Sequence, residues 1–262
     1  VIFLDSLDDP RLAVYRNLKE RELARQGGQF IAESGHVVRR LLASDYPVES
    51  VLVSQRRAEE MSQIVPASVP LYVVPNEWMH QIIGYKFHSG IIACGRRKPP
   101  APLEQLLPPL AQNATVVICP ELANHENLGS LIRISNAFGV DAMILGEHCC
   151  DPFYRLSIRV SMGTIFSLPM VQSDDLHRDM RRLKQEFGFQ LAATVLGEDA
   201  ESLDQVRRDS RLGILFGNEA QGLTPAEIAA CDRRITIPMR RGTDSLNVSV
   251  AAGIFLYHFT RA

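Results

Sequence analysis

The stretch NLGSLIRISNAFG, residues 127–139, decides the fold, because it turns a hydrophobic strand into an amphipathic helix with an Asn and an Arg near the turn. Just upstream, Ala114 to Cys119 (ATVVIC) is an unbroken run rich in β-branched residues, the pattern of a parallel strand covered on both faces. The helix is predicted to begin near Leu128, with Asn127 in the loop before it, and it carries Leu131, Ile132, Ile134, Ser135 and Phe138 at helical spacing. Asp141 to Leu145 (DAMIL) reads as the next strand. In open α/β sheets ligands bind where loops leave the carboxyl ends of strands, which sets Asn127 and Arg133 at a cleft. Alone, the segment also fits Asn127 as a helix cap and Arg133 as a solvated residue.

Two further segments repeat the pattern. In LGILFGNEAQGLTPAEIAACDRRITIPM, residues 212–239, a buried strand runs into Asn218 and Glu219 and then a Gly-containing turn. A helix follows, with Thr224 as N-cap, Pro225 at its first position and Glu227 at its third. A short strand, Ile235 to Ile237, ends at Pro238. In DSLNVSVAAGIFLY, residues 244–257, Ser245 and Asn247 precede a helix that is apolar nearly all round and is therefore expected to be buried. Turn chemistry and capping would explain each polar residue singly, yet all three segments put such residues at strand-to-helix junctions.

Taken in order, NLGSLIR (127–133), FGNEAQGL with its trailing IPM (216–223 and 237–239) and SLNVSVAAG (245–253) resemble the three motifs of the SpoU, or TrmH-like, class of the SPOUT superfamily. SMGTIFSLP (161–169) resembles the segment between the first two motifs. Members of that class are RNA ribose 2′-O-methyltransferases that use S-adenosylmethionine. The resemblance implies an α/β fold with a C-terminal, trefoil-knotted, parallel-sheet methyltransferase domain that normally forms a homodimer, with the cofactor site near the interface. It also implies that Arg133 is the catalytic arginine, supported by Asn127, with Glu219 from the second motif and the pair Ser245 and Asn247 from the third. Cofactor-binding positions carried over are Gly217, Asn218, Ile237, Met239 and Leu246, beside a loop holding Thr194, Leu196 and Gly197.

Composition sets wider bounds. With 262 residues, 46% of them hydrophobic and 22% charged, the chain can bury a full core and has room for two domains. Its five cysteines are odd in number and lack CxxC spacing, and its seven histidines show no HExxH, so neither a disulfide framework nor a metal site is expected. No apolar run approaches the roughly 20 residues needed to span a bilayer, and acids stand near the start where a signal peptide needs a positive flank. The expectation is a soluble, cytoplasmic protein that makes no membrane contact.

Five prolines within residues 98–109 (KPPAPLEQLLPP) exclude a continuous helix or central strand and mark a boundary. The predicted division is 1–99, a Pro-rich linker at 100–111, and 112–262. Residues 1–99 hold 13 Lys+Arg against 11 Asp+Glu, net +2, whereas 100–262 hold 15 against 19, net −4. In the first part, Asp9 to Gln26 reads as a basic helix with Arg16 and Lys19, Arg39 lies on a following helix, and Arg96 and Arg97 close the domain. Strand candidates at 30–33, 48–54, 71–75 and 90–95 alternate with helical stretches, giving a small α/β layer domain. FIAESGHVV and KFHSGIIA resemble the ribosomal-protein-like substrate-binding domain that precedes SpoU catalytic domains, although Ser34 interrupts the usual Glu-Gly pairing. That resemblance makes RNA, ribosomal or transfer, the expected partner, and Arg16, Lys19, Arg39, Arg96 and Arg97 its candidate contacts.

The implied chemistry polarises a ribose 2′-hydroxyl in line with a sulfonium methyl, so positioning and charge dispersal on the developing alkoxide carry most of the gain. Arg133 suits the second task, since a guanidinium is a poor resting base. A catalytically inactive RNA-binding protein of the same fold is the alternative, against which the intact Arg133, Glu219 and Asn247 argue. A nucleotide-dependent oxidoreductase is disfavoured by the missing GxGxxG.

Overall fold

The computed structural model describes residues 1–16, 18, 28–197, 199–241 and 243–260. The chain divides into one unit made of Val1–Pro99 with Asp151–Phe166, and a second made of Pro100–Cys150 with Ser167–Ala262.

In the first unit, Ile2–Phe3 (β1), Gln29–Glu33 (β2), Val48–Ser54 (β3), Leu71–Val74 (β4) and Ile91–Arg96 (β5) form a sheet in the order β1-β4-β3-β5-β2. β1, β4 and β3 run parallel, and β5 is antiparallel to both β3 and β2. Each strand expected in this part is present within a residue of its predicted bounds. The helices are Gly35–Leu42 (α1), Ala58–Ser62 (α2) and Trp78–Ile83 (α3). Leu12, Tyr15, Ile31, Leu52, Ile82 and Ile92 join one core, and the buried Tyr15 hydroxyl is satisfied by Ser50 Oγ at 2.7 Å.

At the start of the basic helix expected over 9–26 the chain is not α-helical, and residues 17 and 19–27 lie outside the described residues. Pro10–Tyr15 is a 3₁₀ turn capped by Asp9, and Arg16 after it is extended, with φ −83° and ψ 140°. The tighter winding suits the sequence, because Leu12 and Tyr15, three apart, share one edge of a 3₁₀ turn and are both fully buried. Lys19 lies outside the described residues.

The second unit is a seven-stranded sheet, parallel throughout. Its strands are Ala114–Cys119 (β6), Ala142–Leu145 (β7), Met170–Gln172 (β8), Gln190–Thr194 (β9), Glu201–Ser202 (β10), Arg211–Leu215 (β11) and Arg233–Thr236 (β12), in the order β10-β12-β9-β11-β6-β7-β8. β6 and β11 sit side by side near the middle and every residue of both is buried, which is why β6 reads as a continuous apolar run. The helices are Leu103–Leu106 (α4), His125–Ala137 (α5), Leu176–Gln185 (α6), Pro225–Ala230 (α7) and Val248–Thr260 (α8). Leu176, Met180 and Leu183 of α6 close one core with Val116, Ile118 and Ile144.

The Pro-rich stretch is not a free tether. Leu103 is buried and Leu106 and Leu107 pack against the core of the second unit. Arg211, 5% exposed, donates to the carbonyls of Pro108, Pro109, Gln112 and Phe187 and lies over the Phe189 ring at 4.5 Å. Of these carbonyls only that of Pro109 also accepts a backbone amide among the described residues, from Gln112 at 2.9 Å, and a guanidinium brings enough donors to serve all four from one place.

Residues 151–166 also depart from the predicted division, because they fold with the first unit rather than with the sequence on either side of them. The reason is aromatic: Phe30 packs on Phe153 and Phe166 with ring centroids 5.3 and 5.4 Å apart, and Tyr46 reaches the same two rings. Asp151 pairs with Arg97, and Glu33, at the end of β2, pairs at 3.5 Å with Arg155 of the inserted helix, Arg155–Val160. The SMGTIFSLP segment is thereby split between units. Its turn uses left-handed backbone at Met162 (φ 55°) and Gly163 (φ 80°), and Arg40 holds the Met162 carbonyl at 2.7 Å.

Candidate active site

A cavity of about 420 Å³ opens in the second unit, at the loops that follow β9, β11 and β12. That is where ligands collect on a parallel sheet. Each wall follows from local sequence. β9 ends at Thr194, whose hydroxyl donates to the Leu215 carbonyl at 2.7 Å on the adjoining β11. The chain then turns back at Gly217, where an added Cβ would fall 2.3 Å from the Gly222 carbonyl carbon and 2.5 Å from the Leu223 nitrogen. Only glycine allows that approach.

The loop itself is closed by reciprocal backbone bonds between Asn218 and Gly222 at 3.0 and 2.9 Å. The Asn218 side chain braces it, accepting from the amides of Ala220 and Gln221 and donating to Glu121 at 3.1 Å. Thr224 then starts α7 with the predicted reciprocal capping box to Glu227.

At one end of the cavity three motif residues form a hydrogen-bond chain. Asn247 Nδ2 donates to Asn127 Oδ1 at 2.9 Å, and Asn127 Nδ2 donates to Glu219 Oε1 at 3.0 Å. Asn247 Oδ1 in turn accepts from Ser249. The chain gives each amide one fixed orientation and leaves the second Glu219 oxygen free of a side-chain partner among the described residues. Ser245, Glu219 and Asn247 all line the cavity, and Asn127 reaches it through this chain.

Of the expected cofactor positions, Thr194, Leu196, Gly217, Asn218, Ile237, Met239 and Leu246 line the cavity, while Gly197 does not. Sequence reasoning missed the wall supplied by Val248, Ala251 and Phe255 of α8, and the loop residue Gln221. The α8 residues carried a usable signal: a helix that opens beside a site turns its first apolar residues into it.

Helix α5 begins three residues before its predicted start. Asn124, not Asn127, is the N-cap, accepting from the amides of Glu126 and Asn127 at 2.7 and 3.3 Å. Asn127 therefore sits in the first turn with its side chain released for Glu219 and Asn247. Arg133 lies six residues on, a turn of about 120° around the helix and ~9 Å along it. It is exposed, makes no hydrogen bond or ion pair among the described residues, and is not among the residues lining the cavity.

Helix α8 is not buried all round. Val250, Ile254 and Tyr257 are 52%, 39% and 48% exposed, an i, i+4, i+7 stripe facing outward, with the Tyr257 ring against Phe138, the C-cap of α5. The candidate RNA contacts of the first unit are mostly engaged already. Arg39 pairs with Glu60, Arg96 with Glu49 and Arg97 with Asp151, while Arg16 lies 4.0 Å from Asp8.

Among the described residues no group of three His, Cys, Asp or Glu side chains could hold a metal ion. Burial pushes the thiols of Cys149, Cys94 and Cys231 up, to about 11, 12 and 12, which leaves them unreactive near neutrality.

The profile of the SpoU rRNA Methylase family matches residues 114–257, and the chain belongs to that family. It is 35% identical to an uncharacterised tRNA/rRNA methyltransferase of Mycobacterium bovis, over 97% of this chain and 90% of that one. It is 28% identical to the 23S rRNA (guanosine-2′-O-)-methyltransferase RlmB of Acinetobacter baylyi, over 79% and 84%. Among solved structures, an S-adenosylmethionine-bound rRNA methyltransferase of Sinorhizobium meliloti superposes with a TM-score of 0.84 over 99% of this chain and 97% of that one, at 23% identity, a likeness of fold.

Proposed function

We propose that this protein transfers the methyl group of S-adenosylmethionine to a ribose 2′-hydroxyl of ribosomal or transfer RNA. The observation that carries the reading is the Asn247–Asn127–Glu219 chain, which joins all three family motifs at the polar end of a cavity of cofactor size. The cavity fits the cofactor chemically. Phe216, Ile237, Met239, Leu246 and Phe255 offer apolar surface to an adenine ring, and the loop amides around Gly217 to Asn218 come close because no Cβ intervenes. Thr194 and Leu196 line the same cavity.

When bound, S-adenosylmethionine supplies an electrophilic methyl on a cationic sulfur. The protein's own residues then have three tasks. Asn247 and Ser245 orient the ribose; Glu219, fixed by Asn127, holds the active-site loop; and Arg133 disperses negative charge on the attacking oxygen. In this reading the part of Arg133 is to stabilise charge rather than to accept the proton.

Three further features complete the reading. The second unit is a trefoil-knotted methyltransferase domain, in keeping with a sheet order in which β11 and β9, late in the chain, are placed between β12 and β6. The molecule is a homodimer through that unit, and the outward stripe of Val250, Ile254 and Tyr257 supports this. The first unit selects the RNA, in the cytoplasm.

Incubating the purified protein with methyl-labelled cofactor and, separately, ribosomal and transfer RNA tests the reading, with calorimetry run in parallel. Label in one RNA class is expected. Cofactor binding with no transfer to either class would move the protein to a non-catalytic RNA-binding role, and absence of cofactor binding would end the proposal.

A further inference from the structure

We infer that the first unit holds RNA phosphates at the sheet end where β2 and β3 stop and β5 starts, through Arg56, Lys86 and Arg159 with Arg40 at the margin. This rests on the reading that RNA is the substrate, and it replaces the arginines that sequence alone suggests.

Strand register makes these loops neighbours. Glu33 lies opposite Ile92, and Val53 opposite Ile91, so the segments after Glu33 and Ser54 and the segment before Ile91 emerge together. Backbone bonds join them, from Ser34 to the Ile91 carbonyl at 3.1 Å and from Ser54 to the Gly90 carbonyl at 3.0 Å. Arg56 ties two of the loops, donating to the His88 carbonyl at 2.6 Å. The inserted helix meets the same end, since Arg155 pairs with Glu33 and lies over the Tyr85 ring at 5.0 Å. Arg159 is one turn further along that helix, and its charge is felt at the Tyr85 hydroxyl. Arg96 and Arg97, by contrast, follow from the far end of β5, where Arg96 stands opposite Gln29.

Charge balance separates the two ends. Arg39, Arg57, Arg96, Arg97 and Lys98 each face a carboxylate within 4.0 Å or less. Lys86 and Arg159 are exposed and make no hydrogen bond or ion pair among the described residues. The guanidinium groups of Arg56 and Arg40, also exposed, donate to the carbonyls of His88 and Met162, which occupy some of their donors without cancelling their charge. Glu33, at the end of β2, is taken up by Arg155 and by the Tyr85 hydroxyl, and Glu77, after β4, makes no ion pair. Among the described residues, these uncompensated cations thus stand on loops joined by backbone bonds and on the helices beside them. That arrangement suits an RNA backbone, whose phosphates demand charge and register more than shape.

The test compares Arg56→Gln, Lys86→Gln and Arg159→Gln, singly and together, with Arg96→Gln as the control at the far end. Affinity for purified ribosomal RNA and, in a second arm, for bulk transfer RNA is measured as a function of salt. In the arm where wild type binds, each cation lost should lower the log–log salt slope by roughly 0.7–0.9, and the triple variant should bind at least ~10-fold more weakly near 0.1 M salt. Cofactor affinity should stay at the wild-type value, and Arg96→Gln should change RNA affinity by less than about 2-fold. Lys86→Gln and Arg159→Gln remove no internal bond, so they report binding even if Arg56→Gln perturbs its loop. A wild-type slope in the triple variant while methylation persists would overturn this surface alone, as would an equal loss in Arg96→Gln. Failure of wild type to bind either RNA would overturn the RNA reading together with it.

Discussion

A guanidinium without an internal partner keeps its whole charge available for an oxygen that becomes negative only during reaction, and Arg133 is such a group. Arg133→Ala is expected to cut single-turnover methylation by roughly 100-fold or more while cofactor affinity barely changes, the pattern of lost transition-state stabilisation. Arg133→Lys should recover little if the planar fork matters and much if charge alone suffices. Collapse of cofactor affinity in Arg133→Ala would reassign the residue to structure. Gly217 offers a second residue-scale outcome. Its missing Cβ leaves 2.3 Å to the Gly222 backbone, which a flexible side chain could yield but backbone cannot, so Gly217→Ala should abolish detectable cofactor binding and lower stability by about 1–3 kcal/mol in urea titration. Cofactor affinity at the wild-type level would contradict the close approach of the loop. At this scale the sequence made the site residues legible through ordered motifs. Their bonding was not legible, because Asn127, Glu219 and Asn247 lie 92 and 120 positions apart and meet only after the sheet is assembled. Arg133 shows the limit from the other side, since its spacing from Asn127 could be counted but the face it takes depends on where the helix begins.

Helix starts and strand cores were readable in unequal measure. Thr224, Pro225 and Glu227 form a local signature and produce the capping box expected of them; Thr224→Ala should cost about 1 kcal/mol, measured by denaturant midpoint at unchanged slope. For α5 two asparagines compete as caps, and Asn124 wins because Asn127 is needed by Glu219 and Asn247. Amphipathicity misled at α8, where apolar residues on every side imply burial, yet the folded helix turns Val250, Ile254 and Tyr257 outward. Such a stripe is interpretable only with a partner in view. Ile254→Asp is therefore expected to shift the protein from dimer to monomer in sedimentation equilibrium, whereas an unchanged mass would remove this stripe as the dimer face. Arg211 acts between elements in a way no local pattern reveals. Arg211→Ala takes the side-chain donor from the carbonyls of Pro108, Gln112 and Phe187 and one of two donors from Pro109, and should destabilise the second unit by roughly 2–4 kcal/mol, read as the loss of a cooperative urea transition at its wild-type midpoint.

For the molecule as a whole, proline density located the break after residue 99, but the route of the chain across that break was hidden. Residues 151–166 return to the first unit because Phe153 and Phe166 complete an aromatic cluster with Phe30 and Tyr46. Sequence order alone gives no hint of such a return. A fragment of 100–262 accordingly exposes both rings, and it is expected to aggregate unless Phe153 and Phe166 are replaced by Ser. Equal solubility of the two fragments in light scattering would argue that the cluster does not hold the segment.

Locating the methyl group on the product RNA tests the central claim most directly. RNA methylated by the purified protein with labelled S-adenosylmethionine is digested to nucleosides and mapped for alkali-resistant linkages, using wild type and Arg133→Ala side by side. The account predicts that wild-type label sits on a single ribose 2′-oxygen and that Arg133→Ala leaves that position nearly unmethylated. Label on a base, or an undiminished ribose signal in Arg133→Ala, would contradict it.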